Sequence, residues 1–225
     1  MNCGNKSKTT VILKSTDLIL TREIYHMKSY SSNAAKLLEC IPDSKPWRQN
    51  REISLSRFEG NLRNLSNEEI RAVFLGSIEL QSRLDCEPLY SGLCYFFTAG
   101  KAEYLSDDGW NDHTKWIISN GKKEVDLALS SPDIFYSRLG EKEKFVADHG
   151  FEGFFSTIYK LLDAHGIDDS YPFNAPPNHW MKTTGFVLDE SQLKIRFPKI
   201  CQKIEKHQLS NGFSEWRRAE FFENA

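Results

Sequence analysis

The chain has 225 residues and a formal charge of −2, and it is 40% hydrophobic, 27% charged and 12% aromatic. This is ordinary usage for a soluble globular protein and excludes collagen-like, coiled-coil and wholly disordered readings. Near-balanced charge also removes the basic excess that whole-protein binding to nucleic acid or to an anionic membrane would need.

Residues 1–8 read as a flexible tail and residues 9–225 as a single globular domain, with a point of internal division near residues 44–65. Thr9–Leu20 is rich in Val, Ile, Leu and Thr and is assigned to a short strand. From Leu18 to Ile41 the positions Ile24, Met27, Ala34, Leu37, Leu38 and Ile41 have helical spacing, interrupted at Tyr30-Ser31-Ser32 and ended by Pro42. A polar stretch follows from Ser44 to Arg57. Ser66 and Glu69 then stand in capping-box register and open a helix to about Leu84, with Ile70, Val73, Phe74, Ile78, Gln81 and Leu84 along one face.

Leu89–Tyr104 is apolar and aromatic and predicts a buried helix. Asn111 or Asp112 is placed to cap a short segment through Ile118, which Asn120 and Gly121 stop. Lys123–Leu129 alternates charged and apolar residues, the period-two pattern of a half-buried strand. In Ser131-Pro132-Asp133, proline sits just inside a new helix with Ser131 as its cap. The clearest helix is Phe151–His165, whose Phe151, Phe154, Phe155, Ile158, Leu161, Leu162 and His165 follow three- and four-residue steps until Gly166. A loop with Pro172, Pro176 and Pro177 follows. Asp189 and Gln192 mark a second capping box, and Pro198 kinks or divides the helix carrying Leu193, Phe197, Ile200, Cys201 and Ile204. Phe213–Phe222, with Trp216, is expected to dock against the rest. The fold class is therefore mainly α with a few short β-strands, α+β being the alternative.

No apolar run reaches the roughly 18 residues of a membrane span, and the N-terminal Val11-Ile12-Leu13 run is too short for a signal peptide. Cys3, Cys40, Cys86, Cys94 and Cys201 are odd in number and lack a Cys-x-x-Cys pair, which argues against a disulfide framework or a zinc site. The expectation is a reduced, cytoplasmic protein with buried thiols and no cofactor.

The sequence lacks a glycine-rich phosphate loop, a nucleophile elbow, His-Glu-x-x-His and the zinc-deaminase signature. Two constellations remain. Asp107-Asp108-Gly109-Trp110-Asn111-Asp112-His113 gathers three carboxylates and an imidazole within seven residues, donors that suit a divalent cation if the loop folds back. The spacing is not that of an EF-hand, and Asp and Asn before a helix are also the normal solvated cap. The second constellation, Asp163, His165, Asp168 and Asp169, closes the clearest helix, where a histidine near the C-terminus also favours the dipole.

Charge placement carries the strongest signal. Residues 1–63 have a net charge of +5, residues 64–189 of −9 and residues 190–225 of +2. An acidic section with exposed aromatics would steer a basic protein surface and supply anchors for it. The expected function is therefore an inhibitor or immunity-type binding module that masks a basic partner such as a toxin or nuclease. Asp107, Asp108, Trp110, Asp112, Trp116, Asp168 and Asp169 are the candidate contact residues. The alternative is a metal-assisted hydrolase using Asp108, Asp112, His113, His165 and His179. The basic run Lys194, Arg196, Lys199, Lys203 and Lys206 reads as phosphate contacts or as the wet face of its helix.

Overall fold

Helical periodicity decides nearly everything in the computed structural model, which describes residues 29–42, 51–97, 100, 107–139, 152–167 and 189–211. The described residues form ten helices and, among them, no strand: α1 Ser32–Cys40, α2 Arg51–Leu62, α3 Asn67–Leu84, α4 Glu87–Phe97, α5 Asp107–Ser119, α6 Lys122–Ser130, α7 Pro132–Ser137, α8 Glu152–Ala164, α9 Glu190–Arg196 and α10 Pro198–Asn211. Buried side chains from all ten belong to one apolar cluster. None of these helices is long and apolar enough to cross a membrane.

The α3 capping box forms as predicted. Ser66 Oγ accepts the Glu69 N–H at 3.3 Å, and Glu69 Oε2 accepts the Ser66 N–H at 2.9 Å. One face of α3 buries Ile70, Val73, Phe74, Leu80 and Leu84, and α1 lies along it. The crossing is close because residue 76 is glycine: a Cβ there would strike the Asn33 backbone carbonyl. Ser31 starts α1 by accepting the Ala34 N–H at 3.2 Å, at the interruption read from Tyr30-Ser31-Ser32.

Helix α4 buries every residue from Leu89 to Phe96 and packs on α7, α9 and α10, the pattern of a helix surrounded on all sides. Helix α8 buries Phe154, Phe155, Ile158 and Leu162. It ends in a Schellman motif: Gly166 takes φ 61°, the Ile167 N–H reaches the Leu162 carbonyl at 2.9 Å and the Gly166 N–H reaches that of Asp163 at 3.1 Å. Pro198 divides the last helical stretch into α9 and α10.

Four expectations are corrected. Lys123–Leu129 is helical, within α6. Its alternation also places Glu124, Val125 and Ala128 on one helical face, where they are buried, and Lys122 pairs with Asp126 at 2.5 Å one turn on. A lone strand here would have left its backbone groups without a ladder among the described residues. Helix α5 begins at Asp107 rather than at Asn111 or Asp112. Ser131 makes no side-chain cap bond; its carbonyl accepts the Phe135 N–H at 2.9 Å while Pro132 occupies the first turn. The polar stretch Ser44–Arg57 runs into α2, where Phe58 and Leu62 are buried one turn apart and Phe58 stacks on Phe154 with ring centroids 4.4 Å apart. The Thr9–Leu20 strand, the earlier part of the Leu18–Ile41 helix, the Asp168–Asn178 loop and the docking of Phe213–Phe222 lie outside the described residues.

Candidate functional site

Helix α5 carries most of the first constellation, and its geometry sends the residues in different directions. Trp110, His113 and Trp116 recur at three-residue steps and share the inward face. Trp110 is 1% exposed and Trp116 5%, which corrects the expectation of surface anchors: the same spacing that makes an exposed stripe makes a core stripe when α4 and α7 stand opposite. The Trp110 indole N–H donates to Asp85 Oδ1 at 2.8 Å, so its polar edge is satisfied while its ring meets Tyr90 edge-on at 5.2 Å.

His113 is fully buried between aromatic rings, with centroids 6.0 Å from Trp110, 5.4 Å from Trp116 and 5.6 Å from Tyr136. The Tyr136 hydroxyl donates to the Leu89 carbonyl at 3.1 Å and lies 3.0 Å from His113 Nε2. With its one proton committed to Leu89, the hydroxyl accepts from the imidazole, which assigns the proton to Nε2. Burial pushes the His113 pKa down to about 3, so the ring is uncharged at neutral pH. It serves as a core hydrogen-bonding group linking α4, α5 and α7.

Asp112 follows on another face of α5, half-buried and paired with Lys115 at 3.2 Å. Asp107 and Asp108 lie in the first turn of the same helix. His165, at the far end of α8, is exposed; its Nδ1 lies 2.8 Å from Asn67 Oδ1 and ties the end of α8 to the start of α3. Asp168, Asp169 and His179 lie outside the described residues. Among the described residues no three His, Cys, Asp or Glu side chains come together in a way that could hold a metal ion. The hydrolase set is thus not assembled by its described members: His113 is sealed in the core and His165 is on the surface.

Most described carboxylates of the acidic section are already engaged. Glu69 pairs with Lys36, Glu79 with Arg83, Glu87 with Arg196, Glu124 with Arg138 and Asp126 with Lys122. Asp85 takes the Trp110 N–H, and Asp133 accepts the backbone N–H groups of Lys199 and Ile200. Glu68, at the start of α3, and Asp163, near the end of α8, are exposed and have no ion pair among the described residues. The Asn67–His165 contact brings these two helix ends together, and Asp168 and Asp169 follow next in the sequence, outside the described residues.

The basic run is likewise partly internal. Arg196 makes a bidentate pair with Glu87 at 2.5 and 2.6 Å, Lys194 meets Glu205 at 3.2 Å, and Lys203 donates to the carbonyls of Ser137 and Leu139 at the end of α7. Lys199 and Lys206 are exposed. Cys40, Cys94 and Cys201 are buried, and burial raises the Cys86 thiol to about 11, which keeps it protonated and unreactive.

One polar cluster escaped the sequence reading. Tyr30 donates to Asp126 at 2.5 Å, and Arg83 and Lys122 stand over its ring at 5.1 and 5.0 Å, fastening the chain before α1 to α3 and α6. No local pattern joins residues so far apart in sequence. Comparison of the chain with protein families, with curated proteins and with solved structures finds no match.

Proposed function

We propose that the chain is a protein-binding module of the inhibitor or immunity type, whose acidic central section masks a basic partner such as a toxin or nuclease. The observation that carries this reading is the net charge of −9 on residues 64–189. Such a field speeds encounter with a basic surface and disfavours acidic ones. The carboxylates available for it lie where α3 begins and α8 ends, at Glu68 and Asp163, with Asp168 and Asp169 next in sequence. Asp107 and Asp108 remain candidates at the start of α5, whereas Trp110 and Trp116 support the core and Asp112 is held by Lys115.

The test is affinity capture of the tagged full chain from its source cell at low and high salt, repeated with Glu68→Lys/Asp163→Lys and with Asp168→Lys/Asp169→Lys. The expected outcome is a stoichiometric basic protein, retained at low salt, released at high salt and lost with the charge reversals. Capture of no stoichiometric partner, or of one indifferent to salt and to all four reversals, refutes the reading.

A further inference from the structure

Asn120 and Gly121 join α5 to α6. Gly121 takes φ 85° and ψ 179°, a conformation essentially reserved for glycine, so the turn itself demands glycine after Asn120. Asn-Gly is a thermolabile pair, because glycine has no Cβ to shield its nitrogen from the asparagine side chain before it. Ring closure bonds Gly121 N to Asn120 Cγ. The side-chain amide group takes up the proton that this nitrogen gives up and leaves as ammonia. Water then adds to either carbonyl of the resulting succinimide. Cleavage of the bond to Cγ gives aspartate, and cleavage of the bond to the main-chain carbon gives isoaspartate, which carries one more carbon in the backbone.

The fold restrains every group in that reaction. Asn120 is 2% exposed, its Nδ2 donates to the Trp116 carbonyl at 2.6 Å, and the Gly121 N–H donates to that of Ile118 at 2.9 Å. The Gly121 carbonyl accepts the N–H groups of Glu124 and Val125, each at 3.1 Å, so the peptide is fixed on both sides by helix ends. The attacking nitrogen and the leaving amide are both bound and water is kept away, so reaction requires the joint of α5 and α6 to open. The same surroundings refuse the products. The Trp116 carbonyl also accepts Ser119 Oγ at 2.7 Å; a carboxylate oxygen in place of Nδ2 would face that carbonyl without a donor, and Asn120 Oδ1 already lacks a hydrogen-bond partner. The extra carbon of isoaspartate would displace the Gly121 N–H from Ile118.

We propose that Asn120-Gly121 is a one-way modification site, closed to water while α5 and α6 are joined and converted to aspartate and isoaspartate when that joint opens, after which the joint does not re-form. The full chain, aged at mildly alkaline pH with and without urea and digested with trypsin, tests this. The peptide Trp116–Lys122 carries Asn120 as its only asparagine, and in urea Asn211-Gly212, the same dipeptide elsewhere, sets the intrinsic rate. The expected result is conversion of Asn120 at the Asn211 rate in urea and at least about tenfold more slowly without it. Chains modified at Asn120 stay out of the folded fraction when urea is removed, and Asn120→Asp melts at a lower temperature than the parent or does not fold. Conversion at equal rates with and without urea overturns the proposal, as does an Asn120 that stays intact in urea while Asn211 reacts. Modified chains that refold, or an Asn120→Asp variant that melts like the parent, overturn it as well.

Discussion

Two segments of this chain are nearly alike in residue type, each placing aspartates beside a histidine, and the fold treats them in opposite ways. Around residue 113 the imidazole is sealed among Trp110, Trp116 and Tyr136, and its neighbour Asp112 is tied to Lys115. Around residue 165 the imidazole sits in solvent at a helix end, touching Asn67. What separates them is the helical position of the aromatics. The histidine of α5 shares a face with two tryptophans, whereas that of α8 falls beyond the last apolar turn. Composition alone cannot distinguish a site from a core; register can.

The contrast breaks most severely at Trp110. Trp110→Ala removes a fully buried ring together with the indole N–H that Asp85 accepts, and the expected loss is about 3–5 kcal/mol of unfolding free energy, measured by urea titration. A loss below about 1 kcal/mol would show that α5 does not form the core described above.

The pH dependence sharpens the contrast next. The folded-state pKa of His113 is about 3 against 6.5 for the free side chain, so between these values the unfolded chain binds a proton that the folded chain refuses. The contribution is therefore complete above pH 6.5 and is lost as pH falls toward 3, at up to about 1.4 kcal/mol per pH unit. Unfolding curves at several pH values should show this slope, and His113→Gln should flatten it. Equal slopes in the two proteins would refute the assignment.

The smallest effect is expected at the exposed end. His165→Ala should cost no more than about 0.5 kcal/mol by the same urea titration, since one exposed hydrogen bond to Asn67 is replaced by water. A cost of several kcal/mol would mean that the surface histidine holds more of the structure than its exposure implies.

Much of the helical plan was legible because it is written locally. Ser66 and Glu69, Gly166 after α8 and Pro198 between α9 and α10 all act within a few residues of their own backbone. The misreadings arose where the deciding partner is remote. Val125 and Leu127 alternate with charges just as a strand would, and only the packing of α6 on its neighbours selects the helix. Phe58 in α2 depends on Phe154, almost a hundred residues away. The candidate site suffered more than the fold did. Trp110 and Trp116 could be numbered from the sequence, but whether they face a partner or the interior depends on α4 and α7. The pairing of Glu87 with Arg196 likewise removed charges that a sequence count leaves available.

The carboxylate of Asp133 caps a helix that begins 65 residues later. Closing so long a loop is slow compared with the neighbour-to-neighbour docking of α5, α6 and α7, so the start of α10 waits for its cap until α7 is in place. The same order governs opening. When α10 lifts away, its first amides lose Asp133 at once and exchange their hydrogens with water, while the aromatic packing around His113 stays closed. Among the described residues, the first amides of α10 are thus a place where protection from exchange reports on a contact with a remote helix.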